Sequence, residues 1–280
     1  MTRVRLAVGI FLCVWALSAC TINVGGQALP GPAPSTAAPG APTLPKAGQC
    51  LNSAEIKPVE CAESHDAEVM AVGEISGLPS AYPDAQALRK ATLPPCYALI
   101  NDYLGSQDSA GTRLQIWTFW PNEQGWAKGE RWRLCTVTEL TPDGKALPRK
   151  GSLKDSLKGN SFNTYQLCLA GSPSKEADVK TTACNGAHMA EAVPGGIVPL
   201  GKHSDPTPSK DQMNAVAKDK CTKAVHDYVG SDKRTDVIPA WRMPGSQGWS
   251  EGWTYAICYA EANKTFTGTL LGIRDNPLPN

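Results

Sequence analysis

The alternation of apolar and polar positions divides the chain into four stretches with different physical prospects. Leu6 to Leu17 is an apolar run of about twelve residues behind a short basic start. It is too short for a permanent membrane span and suits the core of a signal peptide. From Thr21 to about Ala47 the chain is Pro, Ala, Gly, Ser and Thr, with almost nothing to bury. Such a stretch cannot offset its ordering entropy and predicts a flexible tether, with a reach of about 30 Å. Helical periodicity then appears in Pro95 to Leu104, where Cys96, Leu99, Ile100, Tyr103 and Leu104 fall on one face. Pro94-Pro95 suits the start of this helix and Gly105 its C-terminal cap. Cys221, Ala224, Val225, Tyr228 and Val229 repeat the stripe before Gly230, and Ser209-x-x-Gln212 reads as a capping box for an earlier start. Arg113 to Phe119, Arg131 to Thr138 and Thr254 to Tyr259 alternate and are rich in β-formers, which predicts strands.

These elements come in two sets. Pro121 to Cys135 and Pro244 to Cys258 both carry P-x2-Q-G-W-x2-G, with a cysteine nine residues after the tryptophan. A repeat this long predicts a duplicated domain rather than a solenoid. The fold class expected is α+β, with two tandem, homologous, disulfide-stapled domains. Each is a small, mainly antiparallel sheet with one main helix. The boundaries expected are residues 1–19 for a signal peptide, 20–47 for the tether, 48–157 for the first repeat and 158–280 for the second.

Charge changes little. The chain has 27 Lys and Arg against 26 Asp and Glu; without Arg3 and Arg5 the balance is 25 to 26. No basic face for phosphate is indicated, so nucleic acid is not an expected partner. The cysteines say more. Outside residues 1–20 there are eight: Cys50, Cys61, Cys96 and Cys135, then Cys168, Cys184, Cys221 and Cys258. Four per repeat, similarly spaced behind an export signal, imply two disulfides per domain and an oxidising compartment. Each set permits three pairings. Cys50–Cys61 with Cys96–Cys135, and Cys168–Cys184 with Cys221–Cys258, is preferred because it holds in both halves. Closing the loop of about 39 residues is worth about 4 kcal/mol in the chain-entropy model.

Candidate chemistry is sparse. Cys61-x3-His65-x2-Glu68 and Cys184-x3-His188-x2-Glu191 are the paired ionisable motifs. On the strand expected there, residues three apart point to opposite faces. A hydrolytic zinc site needs three protein ligands, and no H-E-x2-H is present, so no metal is expected. The histidines are expected to make a hydrogen bond that fixes the turn after the cysteine. There is no G-x-S-x-G and no spare thiol, so an enzyme is not expected, and no cofactor. Trp126 and Trp249 read as core plugs over a tight turn, whereas Trp117, Trp120 and Trp253 are candidates for exposed contacts. His65, Glu68 and Arg131 complete the candidate binding residues.

Leu17-Ser18-Ala19-Cys20 resembles the lipobox of bacterial lipoproteins. The resemblance implies lipidation of Cys20 and anchorage to the outer face of the cell membrane, since several acyl chains hold durably where one does not. The first repeat, through Cys50, Leu51, Val59, Cys61, His65, Glu68, Val69, Cys96, Pro121, Trp126, Gly129, Arg131 and Cys135, resembles the septum formation family of actinobacterial envelope proteins. The second keeps Cys168, Leu169, Cys184, His188, Glu191, Cys221, Pro244, Trp249, Gly252 and Cys258, but has Thr254 in place of Arg131 and Ala192 in place of Val69. That resemblance implies a non-catalytic interaction module of the cell envelope, linked to septum formation, with envelope or division proteins as partners. The alternative is a binder of cell-wall glycan or a small molecule through exposed aromatics.

Overall fold

The computed structural model describes residues 43–280 and, ahead of them, only the backbone of Gly31–Pro32. Cys20 and most of the tether lie outside the described residues. In chain order the elements are Gly31–Pro32 (β1), Cys50–Asn52 (β2), Lys57–Val59 (β3), Ala67–Glu74 (β4), Ala85–Leu104 (α1), Leu114–Trp120 (β5), Glu123–Ala127 (α2) and Trp132–Glu139 (β6). The second half contributes Phe162–Tyr165 (α3), Cys168–Leu169 (β7), Thr181–Thr182 (β8), His188–Pro199 (β9), Lys210–Val229 (α4), Val237–Arg242 (β10), Ser246–Ser250 (α5) and Tyr255–Phe266 (β11). The class is mixed α and β with two sheets. The first has the order β1-β5-β6-β4-β2-β3 and the second β10-β11-β9-β7-β8. Apart from β1, which pairs parallel to β5, every neighbour is antiparallel, and the two orders correspond strand for strand.

One long helix covers one face of each sheet. Leu93, Cys96, Ile100 and Leu104 of α1 meet Leu114, Ile116 and Val137, and Leu153 and Leu157 from the tail after β6 close the same cluster. In the second half Ala217, Cys221, Val225 and Val229 of α4 meet Val193, Ala256, Cys258 and Ala260. Disulfides Cys96–Cys135 and Cys221–Cys258 cross from helix to central strand inside these clusters, while Cys50–Cys61 and Cys168–Cys184 close the short N-terminal hairpins.

Two expectations for α1 need correction. The helix begins at Ala85, not at the proline pair, because the Asp84 carboxylate accepts the Ala87 amide at 2.8 Å and satisfies an orphan donor. Pro94 and Pro95 therefore lie inside it. They remove two amide donors, a loss the surrounding packing absorbs, with Leu88, Leu93 and Cys96 all buried. Leu99, assigned to the apolar stripe, is 37% exposed. The stripe follows 96, 100 and 104 instead. In α4 the Ser209–Gln212 capping box is present.

The halves pack against each other. The outer face of the second sheet, with Tyr259, Ile257 and Ala240, buries Phe162 and Leu167 of the connection and meets Ala110 of the first half. Arg89 of α1 donates to the Glu251 carboxylate at 2.8 Å, and Tyr97 meets Tyr255 edge-on at 6.3 Å. Gly252 has φ 103°, and a Cβ there would lie 2.9 Å from the Pro94 Cα. Both the conformation and the approach require glycine.

Candidate functional site: two buried carboxylates

The most concentrated polar chemistry lies where the first long strand of each half passes under the end of its helix. Glu68 on β4 and Glu191 on β9 are 1% and 0% exposed, so each must be satisfied by the chain itself. Glu68 accepts from the Tyr103 hydroxyl, the Ser152 hydroxyl and the Leu153 amide, each at 2.5 Å. Glu191 accepts from the Tyr228 hydroxyl at 2.8 Å, the Thr269 hydroxyl at 3.4 Å and the Leu270 amide at 2.9 Å. Each carboxylate therefore joins strand, helix end and tail.

The same tails satisfy the helix ends. Asp155 and Leu157 donate backbone amides to the carbonyls of Tyr103 and Leu104; Gly272 and Arg274 donate to those of Tyr228 and Val229. These carbonyls have no partner within their own helix. Burial, then the hydrogen bond and charge of Glu68, hold the Tyr103 hydroxyl far above the ordinary phenol range. Burial and the Glu191 charge do the same for Tyr228. Both tyrosines thus stay protonated and donate.

The histidines differ between the halves. His65 Nδ1 faces the Glu63 carbonyl at 2.9 Å and His188 Nδ1 faces the Gly186 carbonyl at 2.8 Å, so both Nδ1 atoms carry a proton. Each ring fixes the turn after its cysteine. His188 Nε2 then lies 3.1 Å from Glu191 Oε1. This corrects the expectation of opposite faces. β11 bulges where it meets this part of β9: Glu261 lies opposite Ala190 and Phe266 opposite His188. With Nδ1 committed to the Gly186 carbonyl, Nε2 is the ring atom left to face the Glu191 carboxylate. In the first half, His65 Nε2 is buried without a partner.

The other candidates do not converge on this place. Arg131 stacks its guanidinium 3.7 Å above the Trp126 ring and donates to the Trp126 and Glu130 carbonyls. It sits beyond the Glu74–Trp132 end of β4 and β6, whereas Glu68 pairs with Val137 near the other. Where Arg131 covers Trp126, Gly201 lies against the Trp249 ring; a Cβ there would be 2.9 Å away. The expectation of an exposed aromatic fails at Trp120. Trp120 is 2% exposed and packs with Trp126, Leu88 and Ile75. Trp117 and Trp253 are half-buried, each with its indole N–H enclosed. Trp126 and Trp249 are fully buried, donating to the carbonyls of Pro79 and Asp205.

The Cys168 sulfur lies within 4.8 Å of the His188 and Glu191 ligand atoms. Its disulfide to Cys184 withholds the thiolate, and two groups fall short of a closed metal site. The sequence pattern gives Tyr103 and Tyr228 only a place on the apolar stripes and gives the tail residues no role. The signal was present as Gly151-Ser152-Leu153 and Gly268-Thr269-Leu270, a G-[ST]-L repeated after the last strand of each half. Among the described residues no helix is long and apolar enough to cross a membrane.

The arrangement defines a disulfide-stapled module with two buried, hydrogen-bonded carboxylates. Residues 47–258 match the family model described as septum formation, and the chain belongs to that family. No curated protein and no solved structure matches it.

Proposed function

We propose that this protein is an exported lipoprotein, anchored at Cys20 to the outer face of the cell membrane, and a non-catalytic interaction module of the cell envelope that acts in septum formation. Its two halves are copies of one domain. The observation that carries the non-catalytic reading is the saturation of Glu68 and Glu191 by donors from their own half. A general acid or base needs a free lone pair or proton within reach of a substrate, and these carboxylates are committed to holding helix, strand and tail. Family membership supports the role in division, and the paired disulfides support an oxidising compartment. The shared strand order and the repeated P-x2-Q-G-W-x2-G support duplication.

The test is detergent-phase partition of cells producing the wild type or Cys20→Ala, with septum placement scored in cells depleted of the protein. The expected result is loss of the variant from the detergent phase and misplaced or delayed septa on depletion. Unchanged partition would remove the anchor, and normal septa would remove the division role.

A further inference from the structure

β10 forms one edge of the second sheet, and that edge opens onto a groove of about 830 Å³. Asp236 accepts the Asn263 amide, which sets the alternation: Ile238, Ala240 and Arg242 bond inward to β11, while Pro239 and Trp241 turn their backbone groups outward. Pro239 has no amide hydrogen, so Trp241 supplies the outward pair of N–H and C=O. The matching edge of the first sheet accepts an extended chain, since the backbone of Gly31–Pro32 pairs there with Phe119 and Trp120 of β5. Counted from the two P-x2-Q-G-W motifs, those two residues correspond to Arg242 and Met243 of the groove.

Two walls flank this edge, one on each face of the sheet. On the helix face, Trp241 packs against the core beneath α4 and donates its indole N–H to Asn214, with Lys210 one turn earlier in the helix. On the opposite face, Arg242 reaches the loop after β7 and donates to the carbonyls of Glu176 and Ala177, beside Lys175. The charges along the groove do not balance. Lys175 and Lys210 are exposed, and among the described residues neither enters an ion pair. The Arg242 guanidinium meets neutral carbonyls rather than a carboxylate. Glu176 brings the one carboxylate of the lining, which accepts the Ser172 amide at 2.8 Å; Asp211 follows Lys210 but does not line the groove. Three cations thus stand against one anion, and the N-terminal end of α4 adds the positive end of its dipole.

A polypeptide with carboxylates on both faces of an extended strand complements this groove in charge and in backbone. Successive side chains of such a strand point to opposite faces, so adjacent acidic residues turn one to each wall. We infer that the β10 groove binds an extended acidic segment of a partner polypeptide, adding it to the sheet at Trp241 and pairing its carboxylates with Lys175 and Lys210. The inference rests on the reading of this protein as an interaction module and gives the partner its chemistry.

The experiment titrates the fluorescein-labelled peptide GTVEDVTVG with the full chain in detergent micelles at low ionic strength, reading anisotropy. Saturable binding is expected. It should weaken about tenfold in Lys175→Glu/Lys210→Glu, two exposed positions whose replacement should leave the unfolding curve unchanged. The uncharged peptide GTVQNVTVG should bind about fivefold more weakly, as should GTVEDVTVG with N-methyl groups on alternate backbone amides. Absence of saturable binding, or binding indifferent to any of these changes, overturns the proposal. Tighter binding of poly(glycerol phosphate), lost in the same double variant, would overturn it in favour of an anionic polymer. Failure of the peptide to bind while depletion still misplaces septa would remove the groove alone, whereas binding with normal septa would remove the division role alone.

Discussion

Replacing Glu191 by alanine tests the architectural reading of the buried carboxylates most directly. The side chain is fully enclosed, and its removal leaves the Leu270 amide without its acceptor and takes one partner from Tyr228 and from His188. A stranded buried donor costs about 1–3 kcal/mol. Tyr228 keeps contacts to Gln166 and Thr269, so its share is the smallest. The total comes to about 3–5 kcal/mol, the range seen when one partner of a buried pair is deleted. That is a large part of the 5–15 kcal/mol typical of a whole domain. At about 4 °C per kcal/mol for a domain near 100 residues, the second half should melt roughly 12–20 °C lower. Tyr228→Phe, which removes one donor and leaves the carboxylate in place, should cost only about 1 kcal/mol. In the double variant the two losses should not add, because the tyrosine acts through the carboxylate. The assay is urea and thermal unfolding followed by circular dichroism, disulfides intact, with the first-half transition as internal control. A Glu191→Ala protein within 1 kcal/mol of the parent would refute the reasoning and free the carboxylate for another role.

Further predictions follow from other contacts. Gly252→Ala should loosen the packing of the halves, since the Cβ would strike the Pro94 backbone, whereas at Gly129 no atom lies within 4 Å and only the φ of 89° penalises a side chain, at about 1 kcal/mol; domain-resolved unfolding compares them. Tyr97, Tyr103, Tyr228, Tyr255 and Tyr259 are held above the ordinary phenol range chiefly by burial. Their contribution to stability is complete below about pH 10, where the unfolded phenols ionise, and is lost as pH rises beyond it. Ultraviolet titration of the native protein should therefore find these five silent near pH 10 and ionising only with unfolding. Peptide mapping of the non-reduced protein should recover Cys96–Cys135 and Cys221–Cys258, and a Cys50–Cys135 peptide would contradict the fold.

Much of the frame was legible because its signals are local. The stripe through Cys96, Ile100 and Leu104, the capping box at Ser209 and the β-rich runs each declare themselves within a dozen residues. The start of α1 was not, because Pro94-Pro95 is a stronger punctuation mark than a lone aspartate, and only tertiary burial reveals that Asp84 prevails. Trp120 is a candidate for exposed contacts by sequence, yet it packs on Leu88, from a turn of α1 that the sequence pattern does not assign to a helix. The contact of His188 with Glu191 lies beside an irregularity in β11, about seventy residues away, and the strand periodicity of the His-x2-Glu motif argues against it.

The tails that follow β6 and β11 also govern the order in which this molecule becomes complete. Ser152 and Leu153 reach Glu68 across 84 and 85 residues, and Leu270 reaches Glu191 across 79. Nearly every other strand contact in a half can form first, but the carboxylate stays under-partnered until its tail arrives. Contacts of such long sequence separation form late and slow the search. Each half is thus fastened by its final segment, and a chain interrupted just short of Leu153 or Leu270 would hold its helix, strands and disulfides around an acid with too few donors.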